Sequence, residues 1–399
     1  MLLAVIGKSN VGKTTFFSAA TLVDAEISNR IFTTIEPNKG VTYVRVNCPC
    51  GGGKAEGRPS VMQPCSPRNS KCVNGVRYVP VKMVDIAGLV PNAHLGKGLG
   101  NQFLSDIMEA DALIHVVDIS GSTDESGKPV AAGTRDPKDD IKFLEEEIDY
   151  WILGILKRNL GTLSKRMETT KENFSELVYK QLSGLGIKLV GVESAINKFE
   201  IDQHSDDYDM LKFIQILREE SKPIILAANK IDMPGSEKNL ERLSDLGYKL
   251  IPCSAESELA LRKADEKGVI KYNPGDKKFE IIKQLSQIQM KALEKIQSLL
   301  DIYGSTGVQK IIDTIVFDIL KMIVVYPVEN EHKLCDKKDN VLPDAFLMKK
   351  GSTALDLAFK VHEDIGKKFI AAVDAKTGRN VSSSYELKNG DVISIKAGH

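Results

Sequence analysis

A short stretch at the start of the chain constrains its fold most. Leu2 to Ile6 is a continuous apolar run, the pattern of a parallel strand buried on both faces. It leads directly into Gly7, Lys8, Ser9, Asn10, Val11, Gly12, Lys13 and Thr14. These fill every fixed position of G-x-x-x-x-G-K-[ST], a loop whose backbone N–H groups turn inward around a phosphate chain. Lys13 supplies a point charge to the β- and γ-phosphates, and the Thr14 hydroxyl is a candidate Mg²⁺ ligand. A helix is expected from Thr15 to Leu22, with its positive end facing the phosphates. Strand, loop and helix together imply an α/β protein with a doubly wound, mostly parallel sheet that binds a nucleotide.

Two later motifs narrow the nucleotide. Val79 to Val84 reads as a strand ending in Asp85-Ile86-Ala87-Gly88. The Asp85 carboxylate is placed to support Mg²⁺, and the Gly88 N–H to contact a γ-phosphate. Pro223 to Ala228 reads as another buried strand, followed by Asn229-Lys230-Ile231-Asp232. A carboxylate at Asp232 can accept two hydrogen bonds from guanine, at N1–H and the exocyclic amine. Adenine has no such donor pair, so ATP would leave the carboxylate unpaired, at a cost of about 1–3 kcal/mol or more. A strand at 250–253 ends in Ser254-Ala255, whose backbone can contact the base.

With these motifs in order, the chain resembles the translation-factor class of GTPases, and within it the Obg/YchF family. The resemblance rests on two long stretches, residues 29–40 (NRIFTTIEPNKG) and 85–101 (DIAGLVPNAHLGKGLGN). They look like the family's switch I and Gly-rich switch II. The resemblance implies that Thr34 closes over Mg²⁺ and the γ-phosphate. The Obg-like ATPase branch carries N-x-x-E where this chain keeps Asn229-Lys230-Ile231-Asp232, so GTP is expected here, with an ATP-preferring member as the alternative.

Ras-like proteins place a water-orienting Gln just after D-x-x-G. Leu89 stands there in this chain, and slow hydrolysis is expected. His94, in switch II, is a candidate to orient the water or take its proton; the alternative is an ordinary loop His. Asn10 suggests a K⁺ ion that supplies transition-state charge, as in some GTPases with Asn at this position; the alternative is an Asn that stabilises its own turn. Lys13 and Gly88 complete the candidate catalytic set. Two rivals remain: a nucleotide-gated binding module with negligible turnover, and a phosphotransferase acting on a metabolite.

Cys48, Cys50, Cys65 and Cys72 cluster, while Cys253 and Cys335 stand apart. The four lie in an insert, residues 47–77, between two expected strands. Four thiolates can form a tetrahedral Zn²⁺ site. The C-x-C and C-x₆-C spacing leaves free thiols or a redox pair as alternatives.

The expected organisation is a G domain over 1–136 and 222–320, interrupted by an α-helical insert over 137–221. By resemblance the insert is coiled-coil-like and suits a partner surface. Residues 321–399 read as strand, helix and further strands, and resemble a β-grasp TGS domain through Thr353, Asp356, Ala358 and His362. The resemblance implies the ribosome or ribosomal RNA as partner. Lys+Arg and Asp+Glu are equal at 54 each, which argues against coating nucleic acid through bulk charge. No DNA partner is expected, and a monomer is. No apolar run reaches the ~18 residues of a membrane span, and the apolar start lacks the basic segment of a signal peptide. A cytoplasmic protein is therefore expected.

Overall fold

The computed structural model describes residues 1–21, 38–50, 65–86, 88, 93–95, 106–170, 173–202 and 205–398, with the backbone alone at 93 and 159–170. Contacts divide the chain into two compact units. One holds Met1–Leu22, Pro37–Gly40 and Lys82–Ile311, and the other holds Val41–Val81 with Ile312–His399.

The first unit is built on five parallel strands. β1 (Leu2–Ile6) lies between β4 (Val76–Asp85, of which Lys82 onward belongs here) and β5 (Ala112–Asp118). β6 (Ile224–Asn229) and β7 (Leu250–Pro252) extend the sheet beyond β5. Every residue of β5 is buried, as expected of a central parallel strand covered on both faces. The registers Val5↔Asp85, Ile6↔His115 and Asp118↔Asn229 align the carboxyl ends of β1, β4, β5 and β6. That edge is where open α/β sheets bind their ligands.

Helix α1 (Lys13–Thr21) begins two residues before the expected Thr15. The insert forms α2 (Pro137–Thr170), α3 (Phe174–Leu182), α4 (Leu189–Lys198) and α5 (Asp207–Ser221). The described side chains of the insert pack against the sheet. Leu144, Ile148, Trp151 and Ile152 of α2, with Val178 and Phe213, share one core with Ala4, Ile6 and Leu113 of the sheet. Their helical spacing marks a face packed against strands.

Beyond β6 come α6 (Ser236–Asp245), α7 (Ala255–Glu266) and α8 (Gln287–Tyr303). A helix over 280–300 is expected from sequence, but it starts later. Glu280–Ile281 forms strand β9, paired with β8 (Ile270–Lys271). The helix starts after Ser286, whose side chain accepts from Gln289 N–H while Gln289 reaches back, a capping box that satisfies two orphan donors. The expected helix over 308–320 is α9 (Val308–Asp313), followed by a π-helical run, Thr314–Ile319.

In the second unit, β3 (Lys71–Val73) forms a hairpin with the start of β4. Asn74 and Gly75 turn it, both at positive φ (50° and 81°), as a two-residue loop of this hand requires. β2 (Lys39–Asn47) precedes it. A five-stranded sheet in the order β11-β10-β14-β12-β13 follows, from Phe346–Lys349, Met322–Val328, Val392–Ala397, Phe369–Asp374 and Arg379–Val381. β10 and β14 are parallel and the other pairs antiparallel. α10 (Ala354–Val361) buries Ala354 and Leu357 into the same core as Val325, Ala372 and Ile393, completing a β-grasp. Thr353 caps α10 with Asp356 in a second capping box. His362 is exposed and caps α11 (Glu363–Lys367), its Nδ1 accepting from Asp364 N–H at 3.2 Å.

Residues 47–77 are expected to belong with the G domain, and the C-terminal domain to begin at 321. By contacts, residues 41–81 fall in one compact unit with 312–399. Within that unit, hydrogen bonds run from residues 66–69 to residues 341–345, and from Arg45 N to Asp313 at 3.0 Å.

Candidate nucleotide site

The phosphate loop leaves β1 through Gly7, at φ +142°, where a Cβ would lie 2.5 Å from Val116 O. Asn10 is also at positive φ, 61°. Its Nδ2 donates to Gly127 O at 2.9 Å. Lys8 points away from the loop's interior: its buried ammonium pairs with Asp140 at 2.7 Å and donates to Thr123 O at 3.1 Å. Only the backbone of Lys8 therefore serves the loop, and its carbonyl accepts from Lys13 Nζ at 2.7 Å. Burial lowers the Lys13 pKa, opposed by the charge of Asp85.

Thr14 Oγ1 donates to Asp85 Oδ2 at 2.9 Å. The other oxygen, Asp85 Oδ1, is buried with no partner among the described residues. Burial raises the Asp85 pKa, while the Thr14 bond and Lys13 oppose the rise. Two hard oxygen donors, one unsatisfied, fit Mg²⁺. Gly88 sits so close that a Cβ would be 2.6 Å from Ser9 Oγ and 3.2 Å from Lys13 Nζ, so its backbone reaches the phosphate loop. Thr34 and Leu89 lie outside the described residues.

The N-K-x-D residues separate into distinct tasks. The Asn229 amide is buried and committed: Nδ2 donates to Val11 O at 2.9 Å, and Oδ1 accepts from Ala255 N at 3.0 Å. It ties the phosphate loop to the Ser254-Ala255 turn. Lys230 is held at φ 63° and donates to Asp118 Oδ2 at 2.8 Å. Asp232 is exposed. Ser254 caps α7 by accepting from Ser257 N–H.

Sequence reasoning missed the support behind Lys230. Asp118 accepts from Ser120, Ser122, Thr123 and Lys230. Burial raises its pKa, but the Lys230 and Ser120 bonds outweigh that and leave it lowered. The polar run after Asp118 also lies against the phosphate loop. At Gly127 a Cβ would meet Ser9 O at 2.6 Å. The signal was a strand ending in an acid followed by closely spaced hydroxyls.

His94 is not gathered with the rest. Its Nδ1 lies 2.6 Å from Glu147 Oε2 on α2, and its backbone N–H donates to the same oxygen at 3.0 Å. The ring packs at 5.4 Å from Tyr150. The four clustered cysteines do come together: Cys48 Sγ to Cys65 Sγ is 3.9 Å and Cys50 Sγ to Cys72 Sγ is 3.6 Å.

The chain matches three family models: a 50S ribosome-binding GTPase over residues 2–153, the G4 motif-containing domain of Obg-like YGR210-like GTPases over 227–330, and a TGS domain over 338–397. An uncharacterized GTP-binding protein of Methanocaldococcus jannaschii is 48% identical over 399 residues, covering 99% of this chain and 98% of its own. The chain belongs to the YchF-like, Obg-related GTPase family. An uncharacterized GTP-binding protein of Schizosaccharomyces pombe is 34% identical over 89% of this chain and 88% of its own. A ribosome-binding ATPase YchF of Pasteurella multocida is 32% identical over 66% of this chain and 68% of its own. A solved GTP binding protein from Pyrococcus horikoshii OT3 aligns with a TM-score of 0.77 at 40% identity, covering 100% of both chains. The S. pombe YchF GTPase, at 17% identity, TM-score 0.58 and coverage of 99% and 97%, shares the YchF fold. No helix among the described residues is long and apolar enough to cross a membrane.

Proposed function

We propose that this chain is a GTP-selective switch that hydrolyses GTP slowly with Mg²⁺ and acts at the ribosome or on its RNA as a cytoplasmic monomer without a DNA partner. The observation that carries the choice of nucleotide is the base pocket. Asn229 braces it, Lys230 is locked by Asp118, and Asp232 remains exposed beside them. A free carboxylate there pairs with guanine and opposes adenine. Lys13 cradles the phosphates. Thr14 and Asp85, with Thr34, would hold Mg²⁺, which supplies charge neutralisation at the β- and γ-oxygens. The ribosome enters by kinship, since relatives are named ribosome-binding ATPases.

The test is a competition titration. Wild type should bind GTP at least about 100-fold more tightly than ATP. Asp232→Asn, whose amide complements xanthine, should lose GTP and gain xanthosine triphosphate. Equal wild-type affinity for ATP and GTP would overturn the reading and place the chain with the ATP-preferring members.

K⁺ belongs to this proposal as the charge that an arginine finger otherwise brings. The Asn10 amide nitrogen is taken by Gly127 O, which leaves its carbonyl oxygen as an acceptor for a cation. Turnover in K⁺ should exceed that in Na⁺, and equal rates remove the ion from the scheme. A second reading, a binding module with negligible turnover, is favoured by one contact: Glu147 holds His94 on the helical insert. Single-turnover hydrolysis with and without purified ribosomes separates the two.

A further inference from the structure

The second unit contains a built site that the nucleotide chemistry does not use. The Sγ atoms of Cys48, Cys50, Cys65 and Cys72 all lie within 4.8 Å of one another. None of the four is in a disulfide. Zn–S bonds of about 2.3 Å place tetrahedral sulfurs roughly 3.8 Å apart. The spacings of 3.9 Å and 3.6 Å straddle that figure. The ligands come from two directions: Cys48 and Cys50 follow the end of β2, Cys72 lies in β3, and Cys65 precedes it. Cys48 N–H donates to Gly75 O at 2.8 Å, fixing one ligand to the hairpin turn.

Arg77 is an independent observation. It faces Cys72 across the β3–β4 hairpin and is completely buried. Nη1 donates to Cys65 Sγ at 3.4 Å, Nη2 donates to Leu342 O, and the guanidinium lies over the Tyr326 ring at 5.6 Å. Among the described residues no carboxylate pairs with it, and its Nε has no partner. A buried guanidinium without a counter-charge costs several kcal/mol. Four thiolates around one Zn²⁺ carry a net double negative charge, which supplies the anion this guanidinium lacks.

We propose that Cys48, Cys50, Cys65 and Cys72 bind one structural Zn²⁺, with Arg77 as its buried counter-charge and hydrogen-bonding partner. The ion closes the loop between Cys65 and Cys72, and that loop is what grips the C-terminal domain. Ser66 N–H donates to Val341 O at 2.9 Å and Arg68 N–H to Pro343 O at 2.7 Å. Asn69 exchanges two bonds of 3.0 Å with the backbone of Ala345, and Arg68 pairs with Asp344 and Asp336. The site is thus a clamp between the hairpin insert and the β-grasp sheet. It does not depend on which nucleotide the chain binds.

The test begins with the unmodified full chain, grown with zinc and gel-filtered with a weak chelator. Elemental analysis should give one zinc per chain, and the four thiols should resist a thiol reagent until a strong chelator is added. Cobalt exchanged into the site should show the intense thiolate-to-metal charge transfer and visible bands of a tetrahedral tetrathiolate. Zinc below one tenth per chain, with four freely reactive thiols or two disulfides, would overturn the proposal. Arg77→Gln should weaken zinc about 10–100-fold in a chelator competition, as loss of a hydrogen bond to a ligand does. Unchanged affinity would remove Arg77 from the site. Because the metal content and cobalt spectrum are read on the wild type, a poorly folding cysteine variant cannot obscure the result.

Discussion

A methyl group on Gly12 would sit 2.3 Å from Asn229 Nδ2, and the residue holds φ at +98°. Either fact alone opposes a side chain; together they tie the phosphate loop to the base pocket. Gly12→Ala should destabilise the chain by more than about 1 kcal/mol and weaken GTP binding at least about tenfold. Thermal denaturation and nucleotide titration measure both, and unchanged values would remove this contact from the account. His115 offers a different kind of test. Burial, helped by the charge of Lys13, pulls its pKa from 6.5 to about 3. The folded chain keeps it neutral while the unfolded chain protonates it below 6.5. Its contribution is therefore complete above that pH and is lost as pH falls toward 3. His115→Gln should flatten the acid limb of the stability curve over that range, and an unaltered limb would assign the acid sensitivity to other groups. The fixed glycines and Lys13 were legible because loop chemistry confines them to short spacings. The buried His115 was not, because its neighbours come from β1 and the phosphate loop, over a hundred residues away.

At the scale of elements, helix α2 does two jobs. Its apolar stripe completes the core on the sheet, and Glu147 on it holds His94. If His94 orients the attacking water, the Glu147 contact must open first. Glu147→Ala should then raise single-turnover hydrolysis several-fold, and His94→Ala should lower it without weakening GTP binding. If neither variant changes the rate, His94 plays no part in turnover. The capping boxes give a plainer test. Thr353→Ala removes the acceptor for Asp356 N–H and should cost about 1 kcal/mol of the β-grasp domain's stability, read by denaturant titration. The Thr353 box was readable from its spacing. Ser286-x-x-Gln289 carries the same signal, yet Ile281, Ile282 and Leu285 before it continue a helix-like apolar pattern. The cap overrode that pattern because it satisfies backbone donors that apolar residues cannot.

On the whole-molecule scale, the motifs indicated the class of fold but not how the chain divides. Residues 47–77 sit between two strands of a G domain in sequence, and their partners lie at 341–345. No local pattern reports a pairing across so long a separation. Metal removal tests that division directly. With zinc extracted, the amides of Ser66 and Arg68 should lose protection from hydrogen exchange. Those within β1 and β5 should keep theirs. Equal protection in both states would mean that the hairpin holds the C-terminal domain without the ion.

The joint at 66–69 and 341–345 combines two main-chain bonds with the side chains of Arg68 and Asn69. The groups it uses at 341 and 343 are carbonyls, so the missing N–H of Pro343 costs nothing there. Such a joint reads both the path of the backbone, at Ser66 and Arg68, and the side chains of Arg68 and Asn69. Substitutions at 66, 341 and 343 would leave its main-chain bonds in place, those at Arg68 or Asn69 would remove side-chain bonds, and inserting or deleting a single residue would put every bond out of step.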